Sequence, residues 1–183
     1  MINSEIDNYE KVEKFVEAKD SLVKKWHENP YDLKILIRTG FLSWYLSVEW
    51  ERTKYLNIDS DELIDIINEV YDFGIENFSE NDKFLLAFGY MVSVFPEYFS
   101  CDYPNNRSYN YTESLKNGME MLKKAFKINP NDDLIKLIYF RSINKDILTK
   151  PMCENIIKYI DENFSVDSVV SDYVKSVILQ IES

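Results

Sequence analysis

Few residues of this chain belong to types that do covalent or proton-transfer chemistry, and their spacing does not assemble a site. The single histidine, His27, stands just before the Asn29-Pro30 pair. There it reads as a cation near a helix C-terminus, where the dipole favours positive charge. Cys101 and Cys153 lack a nearby His or a basic neighbourhood that would lower a thiol pKa, so both read as passive. No glycine-rich phosphate loop, HExxH, paired-cysteine motif or G-x-S-x-G occurs. Carboxylates are so numerous that pairs arise from composition alone and say little about hydrolysis. The expectation is a non-enzyme with no catalytic residues, no metal ligands and no cofactor.

What the residues offer instead is charge. The chain has 183 residues, with 32 acidic and 21 basic side chains and a formal net charge of −11. No Lys, Arg or His occurs between Lys54 and Lys83, a gap of 28 residues that holds nine carboxylates and thus most of the imbalance. Five of them, Glu62, Asp65, Glu69, Asp72 and Glu76, step by three and four residues, so a helix would carry them in one stripe opposite Leu63, Ile66, Ile67 and Val70. At the helical rise such a stripe is roughly 21 Å long. Solvated helix faces normally mix signs; a stripe without a cation suits a docking surface for a basic partner, where complementary fields raise association rate and specificity.

Two aromatic patches could extend that surface. Trp44, Tyr45, Glu49, Trp50 and Glu51 place rings beside carboxylates, and Trp50 is the ring singled out as an interface candidate. The rival reading of these rings is core. The stretch SCDYPNNRSYNY, residues 100 to 111, offers Tyr103, Arg107, Tyr109 and Tyr111 on a polar loop suited to adaptable recognition. Its rival reading is a connector whose tyrosines pack back on the fold.

These residues need elements to hold them. The length suits one domain, residues 1–183, and 45% hydrophobic with 15% aromatic residues argues against disorder. The acidic balance argues against nucleic acid as partner. No basic leader with an apolar run opens the sequence, and no run reaches a membrane span, so a cytoplasmic protein is expected. Only four glycines occur, and all lie in segments of helical period, where they read as points of close helix packing. Periodicity predicts helices over 6–26, 33–56, 60–77, 82–95, 112–127, 130–143, 151–163 and from 167 onward. Asp59 is the expected N-cap of the third, with Glu62 as its capping-box partner. No alternating strand is found, and the expected count is eight helices.

The turns recur as ENPYD at 28–32, FSEND at 78–82, INPND at 128–132 and FSVD at 164–167. They predict hairpin turns near 29, 79, 129 and 165, with Asn29 and Asn129 starting helices and Pro30 and Pro130 at N1. A long loop is expected over about 97–111. The segment SLKNGMEMLKKAFKINPND, residues 114–132, resembles a tetratricopeptide repeat, with Gly118, Leu122 and Ala125 at its small, large and small positions before Pro130. Setting Pro30 in the same place gives Tyr9, Ala18 and Leu22 at family positions, while Lys25 departs from the expected Ala. The resemblance covers about half the chain. It implies an all-α fold of four stacked hairpins, an α-superhelix with a concave partner-binding surface; an irregular helical bundle is the alternative.

The functional expectation is a protein-binding module with a basic partner. A small, acidic, aromatic-rich chain without catalytic motifs is similar to the immunity proteins of bacterial toxin systems. Only four of the 21 basic residues are Arg, as in proteins of AT-rich bacteria. In its most specific form the chain is an antitoxin that blocks the basic active site of a toxin, a nuclease, with the stripe around Glu69 standing in for phosphates. The alternative is a scaffold or adaptor that binds a peptide or protein in a concave groove.

Overall fold

The computed structural model describes residues 4–49, 58–99, 111–165 and 168–180. Among them no strand occurs, and nine helices follow one another: α1 (Ser4–Lys11), α2 (Phe15–Glu28), α3 (Leu33–Val48), α4 (Ser60–Phe78), α5 (Asp82–Val94), α6 (Tyr111–Ile128), α7 (Asp133–Ser142), α8 (Lys150–Asn163) and α9 (Val169–Tyr173). A 3-10 turn over Pro96–Phe99 follows α5, and a π-turn over Val174–Ile178 follows α9. None of the helices is long and apolar enough to cross a membrane.

The ninth helix comes from a break in the segment predicted as 6–26. Glu13 takes a positive φ of 56°, and the Lys14 N–H donates to the Tyr9 carbonyl at 2.8 Å, ending α1 before α2 starts. Apolar spacing did not mark the break, because Ile6 before it and Phe15, Ala18, Leu22 and Trp26 after it are all buried. The caps also differ from expectation. Asp32, not Asn29, is the N-cap of α3 and accepts from the Lys34 and Ile35 N–H groups at 3.0 and 3.2 Å. Asp132 does the same for α7, accepting from the Ile135 N–H at 3.0 Å, so both prolines lie in the turn before the helix. Asn81 caps α5, and Thr112 lies inside α6, which already includes Tyr111. Asp59 caps α4 by accepting from the Asp61 N–H.

Helices α3, α5 and α7 pack in a row, α3 on α5 and α5 on α7. Helices α2, α4 and α6 lie outside this row, each the hairpin partner of the helix that follows it. The closest approach is between α5 and α6. A Cβ on Gly118 would stand 2.7 Å from the Ser93 backbone nitrogen, and one on Gly89 would stand 3.1 Å from that of Leu122. At Gly118 only hydrogen fits, and at Gly89 the neighbouring helix would have to give by a few tenths of an ångström. Trp44, Phe84 and Phe88 are fully buried, so Trp44 belongs to the core, as does Tyr45 at 7% exposure.

The far side of the α3–α5–α7 row is covered by α8, α9 and the π-turn, which enclose an apolar hollow of ≈ 110 Å³ against it. The two ends of the described chain meet at one buried charge cluster. Arg38 Nη2 donates to Glu10 Oε1 at 2.8 Å and stands 2.9 Å from Asp7 Oδ1, off the line of its N–H, so that second contact is an ion pair only. Glu10 Oε2 accepts from the Val169 N–H at 2.8 Å. Burial raises the Glu10 carboxyl above its ordinary range even with Arg38 beside it.

Candidate functional site: the acidic face of α4

Helix α4 buries Leu63, Ile64, Ile66, Ile67, Val70 and Gly74 against its neighbours. That contact fixes its rotation and turns Glu62, Asp65, Glu69, Asp72 and Glu76 outward, where all five are exposed. The five therefore share one face, but they are not alike. Glu62 takes the ammonium of Lys19, which is itself buried and also pairs with Asp20 at 2.9 Å. The capping-box partnership expected of Glu62 gives way to this pairing. Glu69 Oε1 stands 3.5 Å from His27 Nε2. Beyond the stripe, Glu80 pairs with Lys124 at 2.5 Å and Asp82 accepts from Asn129 Nδ2 at 2.9 Å. Asp65, Asp72 and Glu76 have no cationic partner among the described residues.

The acidic helix is therefore bordered on both sides. On one side is α2 with Lys19 and His27; a groove there, lined also by Lys24 and Glu28, runs beside Glu62. On the other is α6, whose Lys123, Lys124 and Lys127 face Asp72, Ile75 and Ser79 across an open groove of ≈ 720 Å³. Lys83, the first cation after the acidic stretch, does not neutralise it. It reaches Asp132 at 2.5 Å and lies over the Tyr159 ring at 4.7 Å. Partial burial, and then Glu76 one turn on, hold the Asp72 carboxyl above the usual aspartate range.

Trp50, Tyr103, Arg107 and Tyr109 lie outside the described residues, as does Cys101. An aromatic that the sequence reading passed over stands beside the stripe instead. Tyr31, in the α2–α3 turn, is 66% exposed and meets Phe73 edge-on at 5.4 Å between centroids. Phe73 follows Asp72 directly and also meets Trp26. Ile75, 37% exposed, adds an apolar contact between Asp72 and Glu76. The signal for Tyr31 was its place in the first recurrent turn, ENPYD, where it was read only as turn composition. Among the described residues no group of three His, Cys, Asp or Glu side chains is placed to hold a metal ion, and Cys153 on α8 is a half-buried free thiol. No protein-family model matches the chain, and no curated protein or solved structure matches it either.

Proposed function

We propose that the chain is a non-enzymatic binding module whose basic protein partner docks on the outer face of α4, most specifically an immunity protein that covers the basic active site of a toxin such as a nuclease. The observation that carries this reading is the set Asp65, Asp72 and Glu76, exposed on one helix face without a cationic partner among the described residues. In the docked state a Lys or Arg of the partner meets these three, while Tyr31 and Ile75 supply the apolar contact at the end of the stripe. Glu62 and Glu69 serve differently: Glu62 is already paired with Lys19 and Glu69 lies beside the His27 ring, and both contacts link α2 to α4. The similarity to immunity proteins and the hairpin repeats in the sequence supports the same class. No catalytic role, nucleic-acid partner or membrane surface enters this reading.

The test is the triple substitution Asp65→Asn, Asp72→Asn, Glu76→Gln, compared with Glu62→Gln, Glu69→Gln, after the partner has been recovered from the native host or from a neighbouring toxin gene. The triple variant is expected to keep its fold and lose most of its affinity. The double variant is expected to lose less affinity and some stability. Unchanged affinity in the triple variant removes α4 as the docking face.

A further inference from the structure

The surface covered by the C-terminal segment is of a different kind. Tyr173 inserts its ring among Phe41, Trp44, Tyr45 and Tyr90, with centroids 5.4, 5.6, 6.3 and 6.1 Å away, and its hydroxyl lies 2.8 Å from that of Tyr90. Val170, Val174 and Ile178 face the same hollow. Their spacing of four residues is that of an amphipathic helix laid in a groove. The fit is incomplete. A hollow of ≈ 110 Å³ remains between the segment and the α3–α5–α7 row. Ser171 Oγ is buried without a hydrogen-bond partner. The helix lasts five residues, turns into a π-turn and ends at Gln180 with φ 56°. Among the described residues its polar ties to other helices are four: the Tyr173–Tyr90 hydroxyl pair, the Val169 N–H to Glu10, Arg141 to the Ile178 carbonyl at 2.5 Å, and Lys175 to Asp161 at 2.6 Å.

We propose that the α3–α5–α7 face is a peptide-docking groove occupied in cis by residues 168–179, and that the partner it fits is a short amphipathic helix presenting one aromatic side chain with aliphatic residues a turn to either side. The occupant already in place displays that chemistry, and the empty volume beside its valines favours a competitor with a larger aliphatic group, such as Leu. The proposal rests on the groove-binding reading of the hairpin row, independent of the acidic face of α4.

Two measurements on the full chain test it. In native-state hydrogen exchange, amides of 170–178 are expected to open at denaturant concentrations that leave α5 and α6 protected. Exchange of both sets only through one global unfolding overturns the displaceable segment. In the second, a labelled synthetic peptide of residues 168–180 is titrated into wild type and Tyr173→Ala, whose folds are compared by circular dichroism. The variant is expected to bind about a hundredfold tighter than wild type, the ratio for a groove open about 1% of the time. A peptide carrying Val174→Leu is expected to bind tighter still. Early exchange without peptide binding overturns the groove while leaving a loosely packed tail. A dimer that exchanges its C-terminal segments overturns the partner and puts a second copy in the groove.

Discussion

Gly118 and Asp72 show how much a single side chain decides here. Gly118→Ala gains roughly 1 kcal/mol of helix propensity but drives a methyl into the Ser93 backbone, which has no rotamer to give. The expected net loss is about 1–3 kcal/mol, the usual range for overpacking, read from the urea midpoint at constant slope. Asp72 has the opposite sign. Its folded-state carboxyl is held above the ordinary value by burial and by Glu76, so stability falls as pH rises through that range. Asp72→Asn is therefore expected to melt higher than wild type at pH 7, with the advantage vanishing below about pH 4, where the unfolded carboxyl also holds its proton. A partner cation beside Asp72 lowers its pKa, so binding releases a proton and affinity rises with pH over the same window. The glycines' closeness to other helices was legible in the sequence from their position inside helical periods. The partners of Glu62 and Glu69 were not, because Lys19 and His27 come from another helix more than 40 residues away and spacing within one segment says nothing about them.

At the scale of elements, the period of the apolar residues located α4 to within a residue of its observed end, because that helix buries one stripe; α3, buried at every position from Arg38 to Leu46, ends at Val48 and not at 56 as predicted. The breaks were harder to read. The α1–α2 break depends on the left-handed backbone at Glu13, a residue type that gives no warning of it. The Asn-Pro turns suggested starts three residues too early, since Asp32 and Asp132 compete successfully for the cap by accepting backbone N–H bonds. Substitution distinguishes the two caps. Asp32→Ala is expected to cost about 1 kcal/mol, the usual value for a lost N-cap. Asp132→Ala also strands Lys83, whose ammonium sits half-buried over Tyr159, and is expected to cost clearly more. Thermal melts of the two variants side by side check the order. Equal losses would show that the Lys83–Asp132 pair is solvated and contributes little.

Across the whole molecule, the outer helices differ in charge. Acidic α4 runs between α2, where Lys19, Lys24 and Lys25 are balanced by Glu17, Asp20 and Glu28, and basic α6, where Lys116, Lys123, Lys124 and Lys127 outweigh Glu113 and Glu120. Such banding orients an approaching basic protein along α4 and turns it from α6, and the association rate is expected to fall steeply between low and physiological salt as the screening length shrinks to about 8 Å. A flat salt dependence in stopped-flow mixing would exclude steering. The buried cluster of Asp7, Arg38 and Glu10 joins the molecule at its other side. Arg38→Met leaves two carboxylates in the interior, and a loss of about 3–5 kcal/mol is expected at pH 7. Protonation of Glu10, already raised by burial, is expected to recover part of it at pH 5; urea titrations at the two pH values measure the difference. That cluster also sets an order of events during synthesis. Glu10 and the Val169 N–H that it accepts are 159 positions apart, so at roughly 5–20 residues per second a growing chain waits about 8 to 30 s between making one and the other. For the second half of that interval, the 83 positions between Tyr90 and Tyr173, the aromatic cleft awaiting Tyr173 is open on the ribosome, and the nascent protein offers to any passing helix a surface that the finished one has closed.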